Sequence, residues 1–174
     1  PREFIHEGLK EVVMHEVGHT LGLRHNFKAS TWKSLEEIRA VGTNPAEPIV
    51  ASVMDYSPAN IEKDKQQQGL YYSQTLGPYD VWAIEYGYRP FSGDEEKELA
   101  KIAARSGEAG LAYATDEDTL GSFSPDPGVN RYDMGNNPME WAASRQALVQ
   151  QLAGNIGEWA AKSGGPRYYV TQAY

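Results

Sequence analysis

Three of the four histidines lie within eleven residues, in the stretch His15-Glu16-Val17-Gly18-His19-Thr20-Leu21-Gly22-Leu23-Arg24-His25. Apolar residues recur at steps of three and four from Ile5 to Leu21, which predicts a helix over residues 3–21. On that helix His15 and His19 lie one turn apart on nearly the same face, so both imidazoles can bind one metal ion. Gly22 is predicted to end the helix, because glycine adopts the left-handed conformation without a steric penalty. The turn lets His25 approach the same point from outside the helix.

This arrangement of side chains is typical of a catalytic zinc site. Three neutral imidazoles without a thiolate suit Zn²⁺ and leave a fourth coordination position open for water. Zinc lowers the pKa of such a water from about 15.7 towards about 7. Glu16, next to the first ligand, is placed to accept the proton of the water and to pass it to the leaving amine. We therefore predict His15, His19 and His25 as zinc ligands and Glu16 as the general base.

The composition excludes several other functions. The 174 residues include no Cys, which removes disulfides, iron–sulfur clusters, thiol catalysis and thiolate zinc fingers. The net charge of −8 argues against binding to nucleic acid or to an anionic membrane surface, since both need a basic face. No stretch approaches the roughly 18 consecutive apolar residues of a membrane helix, so we expect no membrane insertion. A hydrophobic fraction of 40% and this length favour one globular domain.

The spacing His-Glu-x-x-His-x-x-Gly-x-x-His resembles the zinc signature of the metzincin metallopeptidases. The segment Ser52-Val53-Met54-Asp55-Tyr56 is similar to their Met-turn, whose methionine packs beneath the ligand imidazoles, and Met54 follows His25 by 54 − 25 = 29 residues. The resemblance implies that Met54 and Gly22 support the ligands structurally. It also implies that Tyr56, two residues after the methionine, stabilises the oxyanion during peptide hydrolysis.

The similarity extends beyond the zinc motif. The string from His15 to Ser30 most resembles a poorly characterised bacterial group of zinc-dependent metzincin-like proteins, as do residues 77–88 and 126–135. Asn26 occupies the position where better-known metzincins have Asp, Glu or Ser. The resemblance implies a zinc metalloendopeptidase and an extracytoplasmic location, periplasmic or secreted.

The predicted fold is mainly α, with a metzincin-like active-site helix and a lower, C-terminal subdomain. Capping signals predict four more helices: from Ser34 to Gly42 with a Ser34–Glu37 capping box, from Pro78 to Gly87, after a Ser92–Glu95 capping box, and from residue 137 to about 161. Residues 49–53 and 168–170 are the candidates for short strands.

In metzincins a β-sheet subdomain precedes the active-site helix, and its edge binds the substrate as an added strand. Only 14 residues precede His15, which is too few for several strands of about five residues each. We therefore expect residues 1–174 to form a single metzincin-type catalytic subdomain of a longer protein, without the N-terminal β-sheet subdomain. The expected partners are that subdomain and a protein or peptide substrate.

Alternatives to the peptidase hypothesis stay open. The chain could be a non-catalytic, zinc-stabilised scaffold or interaction domain, or an inactive fragment of a peptidase, although an intact Glu16 argues against a degenerate enzyme. A zinc hydrolase with a distal ligand, Glu36 or Glu37, is not needed when His25 has the required spacing. The acidic residues between positions 116 and 133 could bind Ca²⁺, but they lack EF-hand spacing, and a solvated loop is the commoner outcome.

Overall fold

The computed structural model of the protein describes residues 2–119 and 126–162. Their regular structure consists mainly of five α-helices: α1 (Arg2–Thr20), α2 (Leu35–Val41), α3 (Pro78–Tyr88), α4 (Glu95–Ala103) and α5 (Pro138–Lys162). Short 3₁₀ helices cover Ala29–Thr31, Lys65–Gln67, Ala104–Gly107 and Asp116–Thr119. No β-strand occurs within the described ranges, which confirms the prediction of a mainly α fold. None of the described helices combines the length and the apolar character needed to cross a bilayer.

Local capping chemistry sets the ends of several helices, as predicted. The Ser34 hydroxyl accepts a hydrogen bond from the Glu37 amide at 3.2 Å, and the Glu37 carboxylate accepts one from the Ser34 amide at 2.7 Å. This capping box begins α2, and Gly42, with φ 59°, follows its last residue. The Glu37 carboxylate therefore serves as a helix cap in this fold.

Two local predictions were wrong. Helix α4 begins after Asp94, whose carboxylate accepts a hydrogen bond from the Lys97 amide at 3.3 Å, and not at a Ser92–Glu95 capping box. Residues 49–53 form no strand, because their backbone amides bond to scattered partners in other loops and helices. The second predicted strand, at residues 168–170, lies outside the described part of the chain.

The apolar core lies among the loops, α2 and the start of α5. One buried cluster consists of Leu35, Ile38, Val41, Ile49, Leu70, Met134 and Trp141. A second cluster joins Phe27, Ala114 and Val129, and the ring of Tyr56 packs against it. The segment that follows His25 is buried near its start, at Phe27 in the second cluster, and near its end, at Leu35 in the first. Close packing at both ends fixes the position of this segment next to α1.

Helix α1 contacts the rest of the protein through its more polar face. Its buried residues are Glu11, His15 and Gly18. The apolar residues that predicted the helix are exposed instead, with Ile5 57%, Leu9 64% and Val13 59% accessible. The periodicity therefore identified the helix correctly but not the face by which it packs here.

Candidate metal centre

The structure brings the imidazoles of His15, His19 and His25 together at the end of α1. The helix carries the first two one turn apart, and the chain then turns at Gly22, with φ 85°, to return the third. Potential ligand atoms of the three side chains lie within 4.8 Å of one another, and the ring centroids are 4.8, 4.9 and 5.3 Å apart. In the described ranges, no other set of three His, Cys, Asp or Glu side chains is so close.

Each of these rings is oriented by a hydrogen bond from its Nδ1 atom. His15 donates to the Val53 carbonyl at 2.7 Å, His19 to the Leu23 carbonyl at 3.0 Å, and His25 to a carboxylate oxygen of Asp116 at 2.9 Å. A neutral imidazole that donates from Nδ1 keeps its Nε2 lone pair free for a metal. Burial lowers the pKa of His15, which further favours the neutral, metal-binding form. The three residues therefore fit Zn²⁺ as neutral nitrogen ligands.

Asp116 is a functional residue that the sequence did not reveal. It lies 91 positions after His25, in the acidic stretch that was expected to be a solvated loop. Its second oxygen accepts a hydrogen bond from Arg131 at 3.0 Å, so the carboxylate is held from both sides. The hydrogen bond from His25 is the main reason that the pKa of Asp116 is lowered. An ionised Asp116 both orients the imidazole and increases its basicity as a ligand.

Other acidic side chains of the same stretch pair with cations. Glu117 forms an ion pair with Arg24 at 2.8 Å, and Asp126 forms one with Lys28 at 2.6 Å. These contacts connect the stretch to the segment that carries His25. Glu117 and Asp126 therefore pair with cationic side chains of the protein itself.

Met54 lies in a turn directly beneath the helix that carries the first two histidines. It is fully buried, and its sulfur packs so closely on Gly18 that a Cβ atom at this position would overlap it. The neighbouring Val53 carbonyl is the acceptor for His15, so the turn positions both the helix and a ligand. A glycine inside a helical pattern often marks a position where another group packs closely, so the sequence could have indicated this role of Gly18.

Asp80, in the first turn of α3, fixes the conformation of this turn. Its carboxylate accepts hydrogen bonds from the Ser52 hydroxyl at 2.5 Å, the Val53 amide at 2.9 Å and the Gly77 amide at 2.8 Å. Since the side chain is 1% exposed, these hydrogen bonds are fully shielded from water.

Asn26, the residue after the third histidine, makes hydrogen bonds that a carboxylate could not all reproduce. The buried amide of Asn26 donates to the Ala112 carbonyl at 3.0 Å and accepts from the amides of Lys28 and Ala114 at 3.2 Å each. A carboxylate could accept both bonds but could not donate to the carbonyl. Asn26 thus joins the segment after His25 to the loop that leads to Asp116.

Glu16 and Tyr56 line the cavity next to the histidines, which has a volume of about 510 Å³. Glu16 is exposed, whereas the Tyr56 ring is half-buried, with its centroid 4.6 Å from that of His25 and 5.5 Å from that of His15. The structure therefore places a carboxylate and a phenol beside the three imidazoles. Together these groups provide a proton acceptor and a hydrogen-bond donor at a potential metal site.

A family model described as Met-zincin matches residues 1–174, the whole of the chain. No curated protein and no solved structure matches it.

Proposed function

The chain belongs to the Met-zincin family, and we propose that it is a zinc-dependent metallopeptidase that hydrolyses internal peptide bonds. The observation that carries this proposal is the set of three imidazoles, each donating from Nδ1, in a cavity that also contains Glu16 and Tyr56. His15, His19 and His25 would hold the metal. When bound, Zn²⁺ supplies Lewis-acid activation of water and of the peptide carbonyl.

Glu16 is the residue proposed to move protons. Its carboxylate follows the first ligand directly and is open to the cavity, so it can accept a proton from the attacking water. The protonated acid can then donate to the nitrogen of the leaving amine. The reaction needs no covalent intermediate with the protein, which agrees with the absence of Cys from the sequence.

Tyr56 is proposed to stabilise the negative charge that develops on the carbonyl oxygen of the substrate. Its ring is fixed by packing against Phe27, at a centroid distance of 5.3 Å, and against the ring of Tyr132 at 5.9 Å. A hydroxyl held in this way is preorganised to donate a hydrogen bond in the transition state. The loss of one such donor typically costs about 10²- to 10³-fold in kcat.

We also propose that the apolar face of α1 packs against an N-terminal β-sheet subdomain of the parent protein. Leu9, Val13 and Val17 expose 64%, 59% and 48% of their surface, although they lie next to the metal-binding end of the same helix. An exposed apolar stripe of this kind usually marks a contact with another structural element. In the metzincins that the sequence resembles, this subdomain supplies the sheet edge that binds the peptide.

Replacing Glu16 by Gln in the full-length protein tests the proposed function. The variant should bind about one zinc per chain, as the wild type does, while hydrolysis of casein falls by about 10²- to 10⁴-fold, the usual contribution of a general acid–base. Glu36→Gln is the matched control, because Glu36 is an exposed carboxylate on α2 away from the cavity.

Near-normal turnover by the Glu16→Gln variant would contradict the role given to Glu16. A wild-type protein that binds zinc and cleaves no peptide would instead favour the scaffold hypothesis. Chelation followed by zinc addition to the wild type shows whether any cleavage depends on the metal.

A further inference from the structure

The cavity beside the histidines contains a second carboxylate, Glu11, that the proposed reaction does not use. Glu11 precedes His15 by four residues, so its Cα lies about 6 Å back along the axis of α1 and on a similar face. The side chain lines the cavity and is only 7% exposed. A carboxylate buried to this extent normally has a cation or several hydrogen-bond donors next to it.

Glu11 has neither kind of partner within the described ranges of the chain. No described group donates a hydrogen bond to its oxygens, and no described Lys or Arg pairs with it. Burial therefore raises its pKa to about 7. The carboxylate still lines the cavity, so a group that enters from outside can reach it.

Apart from the three histidines, the other residues of the cavity suit a positive charge. Its wall includes the rings of Tyr56, Tyr72 and Tyr132, and no Lys or Arg is among the residues that line it. Aromatic faces attract cations through their quadrupoles. Tyr72 and Glu11 line the same cavity, and burial, followed by the charge of Glu11, raises the pKa of Tyr72.

The backbone conformation of Tyr132 supports the interpretation of the cavity as a binding site. Its φ of 63° is unusual for a residue with a side chain, and its amide donates to the Tyr56 carbonyl at 2.9 Å. Backbone strain of this kind costs of order 1–3 kcal/mol and tends to occur at functional sites. The strained residue holds an exposed ring at the entrance of the cavity, stacked on Tyr56.

We infer that this cavity binds a Lys or Arg side chain next to the scissile bond, and that Glu11 is the residue that determines this specificity. The cation would form a buried ion pair with the carboxylate while its stem packs on the tyrosine rings. The inference rests on the proposed function in one respect only, namely that the cation belongs to a peptide substrate.

The test uses pairs of internally quenched peptides that differ only by Lys or norleucine at the positions flanking the scissile bond. For the zinc-loaded full-length protein, kcat/KM should be at least about tenfold higher with Lys at one of these positions, as expected for a charge-assisted hydrogen bond. Glu11→Gln should abolish this preference, so that kcat/KM for the Lys peptide falls to about the value for the norleucine peptide. The control Glu3→Gln makes the same change on the exposed surface of α1 and should retain the preference.

A binding measurement separates failure of this inference from failure of the proposed function. In the background of Glu16→Gln, fluorescence anisotropy should show tighter binding of the Lys peptide than of the norleucine peptide, and adding Glu11→Gln should remove the difference. If the wild type cleaves nothing but this pattern is observed, the cavity inference stands and the peptidase proposal fails. Equal binding of both peptides, or an equal loss for both in Glu11→Gln, would overturn the role of Glu11.

Discussion

Single hydrogen bonds from Nδ1 orient the histidines of the candidate metal centre. Two of the acceptors, the carbonyls of Val53 and Leu23, belong to the backbone and cannot be removed by substitution. The third, Asp116, is a side chain that Arg131 holds in place through a hydrogen bond of 3.0 Å. Asp116 is therefore the position at which the orientation of a ligand can be changed without touching the ligand itself.

Asp116→Ala is expected to weaken zinc binding by about 10- to 100-fold, the usual effect of losing an outer partner of a metal ligand. The physical reason is that His25 loses its fixed tautomer and orientation. Competition with a chromophoric chelator measures the change in Kd. Glu117→Ala, which removes the neighbouring ion pair with Arg24, should leave the Kd unchanged. Equal effects of the two substitutions would show that the loop, and not the hydrogen bond, is responsible.

The raised pKa of Glu11 predicts how the stability of the folded protein depends on pH. Its pKa in the folded protein is about 7, against an ordinary value of 4.5, because burial disfavours the charged form. The unfolded chain releases this proton first as the pH rises, so the destabilising effect of Glu11 begins near pH 4.5 and is complete above about pH 7. Below pH 4.5 both states are protonated and the effect vanishes.

Glu11→Gln should therefore increase the free energy of unfolding at pH 8 by roughly 3 kcal/mol, because the pKa differs between 4.5 and about 7 and each unit is worth about 1.4 kcal/mol, and the gain should shrink towards zero near pH 4.5. Urea denaturation of the variant and the wild type at several pH values gives this difference directly. The titration of other groups cancels in the comparison, since only one residue changes. A gain that did not depend on pH would show that Glu11 has the same pKa in the folded and the unfolded protein, so that burial does not raise it.

Among the structural elements, the turn at Val53 and Met54 links α1 to α3. Asp80 at the start of α3 accepts a hydrogen bond from the Val53 amide and so fixes the turn. The Val53 carbonyl orients His15, and the Met54 side chain packs on Gly18. The contact on Gly18 depends on the absence of a side chain. Two helices that are distant in sequence are thus coupled through a few buried residues.

Gly18→Ala should destabilise the protein by about 1–3 kcal/mol, because the new methyl group must displace the fully buried Met54. In an ordinary helix interior the same substitution is stabilising by up to about 1 kcal/mol, so the sign of the change is diagnostic. Gly87→Ala on α3 is the control, since a Cβ atom there meets nothing within 4 Å. Thermal unfolding of both variants tests the prediction, and a stabilised Gly18→Ala variant would disprove the close packing.

The elements that could be predicted from sequence are those whose signals are local. The capping box at Ser34, the glycines at positions 22 and 42, and the proline at position 78 all act within one or two turns of a helix. The buried apolar run at residues 49–53 could not be assigned, because such a run has the same pattern whether it pairs as a strand or fills a loop. Ser92 and Asp94 are both favourable N-cap residues, so propensity alone does not distinguish the cap that the structure shows, Asp94.

The same distinction applies to the candidate site. The spacing of His15, Glu16, His19 and His25 is contained in one helix and one turn, so the sequence alone brings these residues together. Asp116 acts across 91 positions, and no local pattern connects it to His25. The burial of Glu11 also escaped prediction, because the apolar stripe of α1 suggested that the opposite face would be inside.

At the scale of the whole molecule, the proposed contact between the exposed apolar face of α1 and an N-terminal subdomain can be tested. If an N-terminal subdomain covers it, Leu9→Asp in the full-length protein should cost about 2–5 kcal/mol, as for a polar substitution in a core. If Leu9 is instead exposed to water in the full-length protein, the substitution should change the free energy of unfolding by no more than about 0.5 kcal/mol. Lys10→Asp, at an exposed polar position of the same helix, is the control. Chemical denaturation distinguishes these outcomes, and a small effect at Leu9 would contradict the proposed contact.

The central claim is that zinc held by His15, His19 and His25 makes this chain a peptidase. The most direct measurement is a titration of Zn²⁺ into the metal-free full-length protein while the hydrolysis of a quenched peptide is followed. The rate should rise linearly and reach a plateau at one zinc per chain, and His19→Ala should abolish the rise. Hydrolysis that persists without zinc, or tight binding of one zinc per chain without hydrolysis, would contradict the claim.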